Sequence, residues 1–357
     1  MTKRQNHSTT GNSNTVRAVE LEAEFLPNLD LSRRLRRNRK SASIRDLCRE
    51  TRLSPKQFIY PLFIQEGGAD SEIPAMPGCK RLCLQSLVEE VGKAQEGKIG
   101  AVILFPAIDQ KLKTPDAEEC CNDDGLVPRA IRLLKGHYPE LTVMADVALD
   151  PYSSDGHDGL VSSDGKILND ETVEVLCEQA LCQARAGIDV IAPSDMMDGR
   201  IFAIRSALDE NGFTDVSLLS YAAKYASAFY GPFRGALDSA PRLGDKKTYQ
   251  MDPANVREAL AEVELDEAEG ADMVMVKPAG AYLDVIAQIR ESTTLPIAAY
   301  QVSGEYLMIK AAAATGWLDE SKIMMESLLA IRRAGADMIL SYFAPQAAKR
   351  LLDGWES

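Results

Sequence analysis

Three times in this chain a helical stretch runs into the same short joint: Ala186-Gly-Ile-Asp189, Glu269-Gly-Ala-Asp272 and Ala334-Gly-Ala-Asp337. Glycine there ends a helix in the left-handed conformation at no Cβ cost, so each joint reads as a tight helix-to-strand turn. Apolar runs of strand length stand at 59–64, 101–105, 142–149, 189–192, 216–222, 273–277, 297–302 and 338–343. Stretches with helical spacing separate them, at 87–94, 127–134, 171–186, 200–208, 255–268, 282–289, 306–314 and 321–334. Eight strand–helix units predict an α/β fold, a (β/α)8 TIM barrel with an extended N-terminal arm. The rival, an open doubly wound sheet, lacks its Gly-rich phosphate loop after the first strand.

Composition narrows the function. The 357 residues carry 53 acidic against 40 basic side chains, a net charge of −13 that argues against a nucleic-acid binder. No apolar run reaches the length of a membrane span, and the first twenty residues hold no apolar core of a secretory signal. Seven cysteines, an odd number at no metal-ligand or disulfide spacing, read as reduced thiols. Residues 1–40 are expected to form a partly disordered arm that makes subunit contacts, and 41–357 the catalytic barrel with a short C-terminal tail. Six cations between Arg33 and Lys40 suit docking on an acidic surface, with Leu26, Leu29, Leu31 and Leu35 as anchors. Trp355, beyond the last helix, has no evident place in the barrel core and reads as a second subunit contact.

The site of such a barrel lies at the carboxyl ends of its strands. Those ends carry Asp146, Asp150, Ser194, Asp195, Lys224, Lys277, Tyr300, Ser303 and Tyr342. Two long loops rise on the same rim. The one from 150 to 170 is rich in Asp, Gly and Ser, and the one from 225 to 252 carries Arg234, Arg242, Lys246 and Lys247. Lys277 closes an apolar strand just before Pro278, and Lys224 closes the strand before it. Adjacent strands run about 4.8 Å apart. Two ammonium groups about 5 Å apart at an effective dielectric of about 20 repel by roughly 3 kcal/mol, on the order of two pK units. One amine is thereby brought towards the neutral form that attacks a carbonyl. The pair suggests two carbonyl substrates, or one nucleophile and one electrostatic helper.

Five segments carry a resemblance: MADVALDPYSSDGHDG (144–159), APSDMMDGR (192–200), SYAAKYASAFYGPFR (220–234), MVMVKP (273–278) and YQVSGEY (300–306). Together they resemble the porphobilinogen synthase, or 5-aminolevulinate dehydratase, family from about residue 30 to the end. The resemblance implies a hydro-lyase that condenses two 5-aminolevulinate molecules to porphobilinogen with loss of two waters, in tetrapyrrole biosynthesis. It implies Lys277 as the Schiff-base residue for the first, propionate-side substrate and Lys224 as holder of the second, acetate-side one. Asp146 and Ser194 are then close to the reacting atoms. Arg234, Lys246 and Gln250 meet the second carboxylate, Ser303 and Tyr342 the first, while Phe233 and Tyr230 close over the site. The resemblance also implies a homo-octamer; no nucleic-acid or membrane partner and no organic cofactor are expected.

Zinc-dependent members of that family place three cysteines in the loop after the third strand, where this chain has Ala148, Asp150 and Asp158. Zinc favours thiolate and imidazole, whereas carboxylates and water suit magnesium, so the chain resembles the magnesium-type branch. Asp150 and Asp158 are its candidate active-site ligands, a metal-free site being the alternative, and Glu262 matches an outer magnesium ligand. Likeness to plant-type members implies a plastid, with the cytoplasm as alternative. Two rival functions stay open on the residues alone: a class I aldolase or another Schiff-base lyase, and a binding module that uses its basic arm.

Overall fold

The computed structural model describes residues 31–355 except 238, 240 and 243, and not the side chain of Arg234. Leu26 and Leu29 of the expected arm lie outside the described residues. The chain divides into two units, 1–50 and 51–357. In the first, a 3-10 turn spans Leu35–Arg39 and a short helix Ala42–Leu47, capped by the Ser41 hydroxyl, which accepts from the Ile44 N–H at 3.3 Å. Leu35 and Leu47 are exposed.

The second unit is a closed parallel barrel. Its strands are β1 (Phe58–Gln65), β2 (Ala101–Ala107), β3 (Thr142–Val147), β4 (Val190–Pro193), β5 (Ser217–Lys224), β6 (Met273–Lys277), β7 (Ile297–Gln301) and β8 (Met338–Ser341). Each pairs with the next, and β8 closes on β1 through Phe58–Ile339 and Ile59–Leu340. The principal helices are α1 (Leu84–Glu96), α2 (Leu126–His137), α3 (Asn169–Arg185), α4 (Arg200–Glu210), α5 (Arg257–Ala268), α6 (Leu283–Ser292), α7 (Ser303–Ala314), α8 (Glu320–Ala334) and α9 (Ala344–Leu352). The apolar strands are buried because helices cover the outer face of the barrel and side chains fill its inside. Trp355 departs from expectation: it is half-buried against this same core, its N–H bonded to the Arg350 carbonyl at 2.9 Å.

The repeated joints do more than turn the chain. Gly187, Gly270 and Gly335 all have positive φ, as a helix-ending glycine requires. The aspartate two residues on then stitches the odd-numbered strand beside it. Asp189 accepts from the Val143 N–H at 2.8 Å, Asp272 from Leu218 at 2.7 Å and Asp337 from Ile297 at 3.1 Å. Each returns its own N–H to the carbonyl of that same strand residue. The amino ends of β3, β5 and β7 are thus fastened by one device used three times.

Candidate active site

At the opposite rim the two lysines meet. Lys277 and Lys224 are direct cross-strand partners of β6 and β5. A β-bulge brings them there: Val274 faces Ser220, but Val276 faces Ala223, so β5 carries one extra residue. Without it Lys277 would face Ala223, and Lys224 would fall out of register. Both ammonium ends are buried in one pocket, lined also by Asp146, Asp150, Asp158, Ser194, Tyr230, Phe233, Ser239, Lys246 and Gln250.

The two lysines have opposite surroundings. Lys224 Nζ donates to Asp158 Oδ2 at 3.0 Å and to the Ser194 carbonyl. Lys277 Nζ has four aromatic rings around it, with centroids at 4.8 Å for Tyr300, 5.0 Å for Phe233, 5.2 Å for Tyr221 and 5.3 Å for Tyr230. Burial, and then the Lys224 charge, lower the Lys277 ammonium to about 7. An amine brought down to that range is able to attack a carbonyl. An imine on this nitrogen would be a cation when protonated, and the same ring faces would stabilise it.

The carboxylates divide likewise. Burial, reinforced by Asp150, raises Asp146 to about 7, where it can hold or release a proton; one of its oxygens is buried without a hydrogen-bond partner. Burial also raises Asp150. Asp158 goes the other way: burial would raise it, but Lys224 and Lys246 outweigh that and hold it well below the carboxylate range. Lys246 donates to Asp158 at 2.8 Å and to Asp150 at 3.3 Å; burial would lower its ammonium, but the two carboxylates raise it.

The loop between β5 and α5 is tied to both lysines. Tyr225 N–H donates to the Lys277 carbonyl at 3.0 Å, Met251 N–H to the Lys224 carbonyl at 3.0 Å, and Tyr230 OH to the Lys277 carbonyl at 2.9 Å. A short helix, Gly231–Leu237, lowers Phe233 onto Phe63 and Phe105, with centroids 5.6 and 5.4 Å apart. Ser303, at the start of α7, holds this lid: its hydroxyl accepts from Phe233 N–H at 3.1 Å and donates to the Phe229 carbonyl at 3.3 Å. A Cβ on Gly304 would fall 2.6 Å from that carbonyl, so only glycine admits the contact. The buried Glu305 joins the same junction to the turn after Lys277, accepting from Val302 at 2.7 Å and from Gly280 at 2.5 Å. Burial pushes its carboxyl up to about 7.

Of the residues singled out from sequence, Lys224, Lys277, Asp146, Asp150, Asp158, Ser194, Lys246, Gln250, Phe233 and Tyr230 line the pocket. Ser303 and Tyr342 do not; Ser303 is engaged by the lid, and Tyr342 OH lies 2.8 Å from Tyr300 OH, one ring away from Lys277. Glu262 does not line the pocket either; it lies in a neighbouring groove with Asp198 and Glu258 that also reaches Gln250. The side chain of Arg234 lies outside the described residues. Sequence reasoning missed Tyr221, Ser239 and Glu305. Tyr221 sits inside an apolar strand and Ser239 in a polar loop, so neither carries a local signal. Glu305 was legible as the glutamate three residues into a helix that follows Val302.

Asp150 and Asp158 do not suit a cation as they stand. The Asp158 oxygens are both taken by lysines, Asp150 gives one of its own to Lys246, and no group of three metal-ligating side chains occurs among the described residues. No helix among those residues is long and apolar enough to cross a membrane.

A closed barrel with a paired-lysine pocket at its carboxyl end defines a (β/α)8 enzyme equipped to form an imine with a carbonyl substrate. The model of the delta-aminolevulinic acid dehydratase family matches residues 32–350. The chloroplastic delta-aminolevulinic acid dehydratase of Glycine max is 62% identical over 335 residues, spanning 94% of this chain and 81% of that protein. The one from Pisum sativum is 63% identical over 313 residues, 87% of this chain and 79% of the relative. The crystal structure of the Toxoplasma gondii ME49 enzyme, in complex with the reaction product porphobilinogen, superposes with a TM-score of 0.90 at 52% identity, covering 92% of this chain and 96% of that one. The chain belongs to the delta-aminolevulinic acid dehydratase family and is a lyase of porphyrin biosynthesis.

Proposed function

We propose that the chain condenses two 5-aminolevulinate molecules to porphobilinogen through its paired lysines. The observation that carries this is the in-register burial of Lys224 and Lys277 in one pocket, with Lys277 lowered to about 7. The Lys277 amine adds to the ketone of the first substrate. The carbonyl oxygen leaves as water, and a protonated imine remains among the four rings. Lys224, held between Asp158 and the Ser194 carbonyl, positions the second, acetate-side substrate. Asp146, with Ser194 beside it, accepts and returns protons at the reacting carbons. Lys246, Arg234 and Gln250 bind the second carboxylate; Lys246 exchanges a partner aspartate for it. Ser303 and Tyr342 bind the first after the lid adjusts, and Phe233 and Tyr230 exclude water.

Magnesium does not fit the Asp150–Asp158 pair as folded, so no step is routed through it. Glu262 is the better candidate ligand, since magnesium binds through one or two carboxylates and keeps water. Burial, eased only in part by the Arg200 charge, raises Glu262 to about 7, a cost that a hydrated cation would offset. We place the enzyme in the plastid, as its relatives' names state for them, and as a homo-octamer by family resemblance.

Incubation with 5-aminolevulinate followed by colorimetric detection of a pyrrole tests the activity. Borohydride added during turnover should fix substrate on Lys277 and on Lys224. A trap on one lysine only, without pyrrole, would favour the aldolase-like alternative. Light scattering on a chain lacking residues 1–40 tests the arm: a smaller, folded particle is expected.

A further inference from the structure

Cys120 and Cys121 end a 3-10 turn, Glu118–Cys121, with their sulfurs 3.4 Å apart. Both belong to the seven free thiols, and neither lines the lysine pocket. Two hydrogen bonds hold the turn: Cys120 N–H donates to the Ala117 carbonyl at 2.9 Å, and Glu118 N–H to the Thr114 hydroxyl at 3.2 Å. Thr114 is in turn bonded through its backbone to Tyr152 and Ser154, in the loop that carries Asp150. On this turn the two sulfurs lie side by side. Cys120 is buried at 4% exposure, whereas Cys121 is half-buried and offers the way in.

That separation selects a ligand class. With sulfur bonds of about 2.3 Å, a single atom bridging the pair has an S–X–S angle of about 95°. A tetrahedral zinc with the same bonds would need sulfurs roughly 3.8 Å apart and two further ligands. A trivalent centre carrying a lone pair is pyramidal, with angles close to a right angle, and needs no more than these two sulfurs when its third position is an organic group. We propose that Cys120 and Cys121 form a chelating dithiol site for trivalent, pyramidal thiophiles of the arsenoxide class.

The surroundings favour the first attack. Cys121 is the half-buried sulfur of the pair and the one an incoming reagent meets first; the Cys120 hydrogen bond, aided by Arg185, lowers its thiol despite burial. Burial pushes the nearby Cys182 up to about 12, which keeps it a protonated bystander bonded to Asp123. In the reaction two S–As bonds form, the arsenic–oxygen bond is broken, and both thiol protons leave with that oxygen as water. No oxidation state changes.

The probe is phenylarsine oxide added to the reduced full chain, read by intact mass. One adduct per chain is expected, stable to 2-mercaptoethanol and removed by 2,3-dimercaptopropanol. Cys120→Ser and Cys121→Ser should each lower adduct yield at least tenfold, while Cys182→Ser and Cys83→Ser keep it; unfolding midpoints establish that each variant is folded. An adduct that survives in Cys121→Ser, that maps to another cysteine pair, or that fails to form on the folded wild-type chain would overturn the site.

Discussion

The two ends of this barrel use the same residue types to opposite purpose. At the amino end Asp189, Asp272 and Asp337 meet backbone N–H groups, and two of them also meet cations: Lys135 lies 2.9 Å from Asp189 and Arg290 3.0 Å from Asp337. Their charges are satisfied locally and partly in water, so they contribute stability and little else. At the carboxyl end Asp146, Asp150 and Asp158 share one buried pocket with three lysines, in which no charge can be satisfied without affecting the next. That shared desolvation brings Lys277 and Asp146 both to about 7, where they can exchange protons with a substrate. The first arrangement is modular and the second is coupled.

Substitutions should separate the two. The largest effect is expected from Lys277→Met: turnover falls on the order of 10³-fold or more, and borohydride fixes no substrate at that position, while the unfolding midpoint holds or rises because a buried amine is gone. Asp158→Asn comes next. It removes the charge partner of Lys224 and Lys246 and should lower kcat roughly 10- to 100-fold. The pH profile gives the sharper reading. In the wild type the neutral Lys277 amine, and with it kcat/KM, rises as pH passes through about 7. Asp158 helps to hold that proton, so its neutralisation should move the acid limb to lower pH; a limb that stays in place, or moves up, would break the claim that the pocket is one coupled unit.

Glu305→Gln should act more weakly, through position. The amide keeps one acceptor but turns a donor towards N–H groups, loosening both the turn after Lys277 and the Ser303 lid contact. A fall in kcat of about tenfold is expected, with slower borohydride trapping at Lys277 and partial recovery in Glu305→Asp. The smallest catalytic effect belongs to the amino end: Asp189→Ala should cost about 1–2 kcal/mol in denaturant unfolding and leave kcat within about twofold. A large loss of activity there would mean that the two ends are not independent.

Much of this was visible in the residues. All eight strands were legible because parallel strands buried on both faces are short apolar runs, and the glycine joints marked where helices stop. The lysines were legible because a cation closing such a run is conspicuous. The aspartate of each joint was plain in sequence too, but not its bond, because its partner strand lies 46 residues away for Asp189 and 54 for Asp272.

By itself, then, the sequence determined the strand–helix alternation, the barrel and the rim on which chemistry gathers, since all three follow from local periodicity and chain order. Only the tertiary structure decided that Lys224 faces Lys277, because a one-residue bulge sets the register and no local pattern marks it. It likewise decided that Lys277 is a lysine brought down to about 7. Lys224 and Lys277 end equivalent strands, and what separates them is assembled from distant segments: a carboxylate from the loop after β3 for one, and four aromatic rings from β5, β7 and the lid for the other. Desolvation belongs to the folded pocket and not to the residue, which is why the charge state could be read only there.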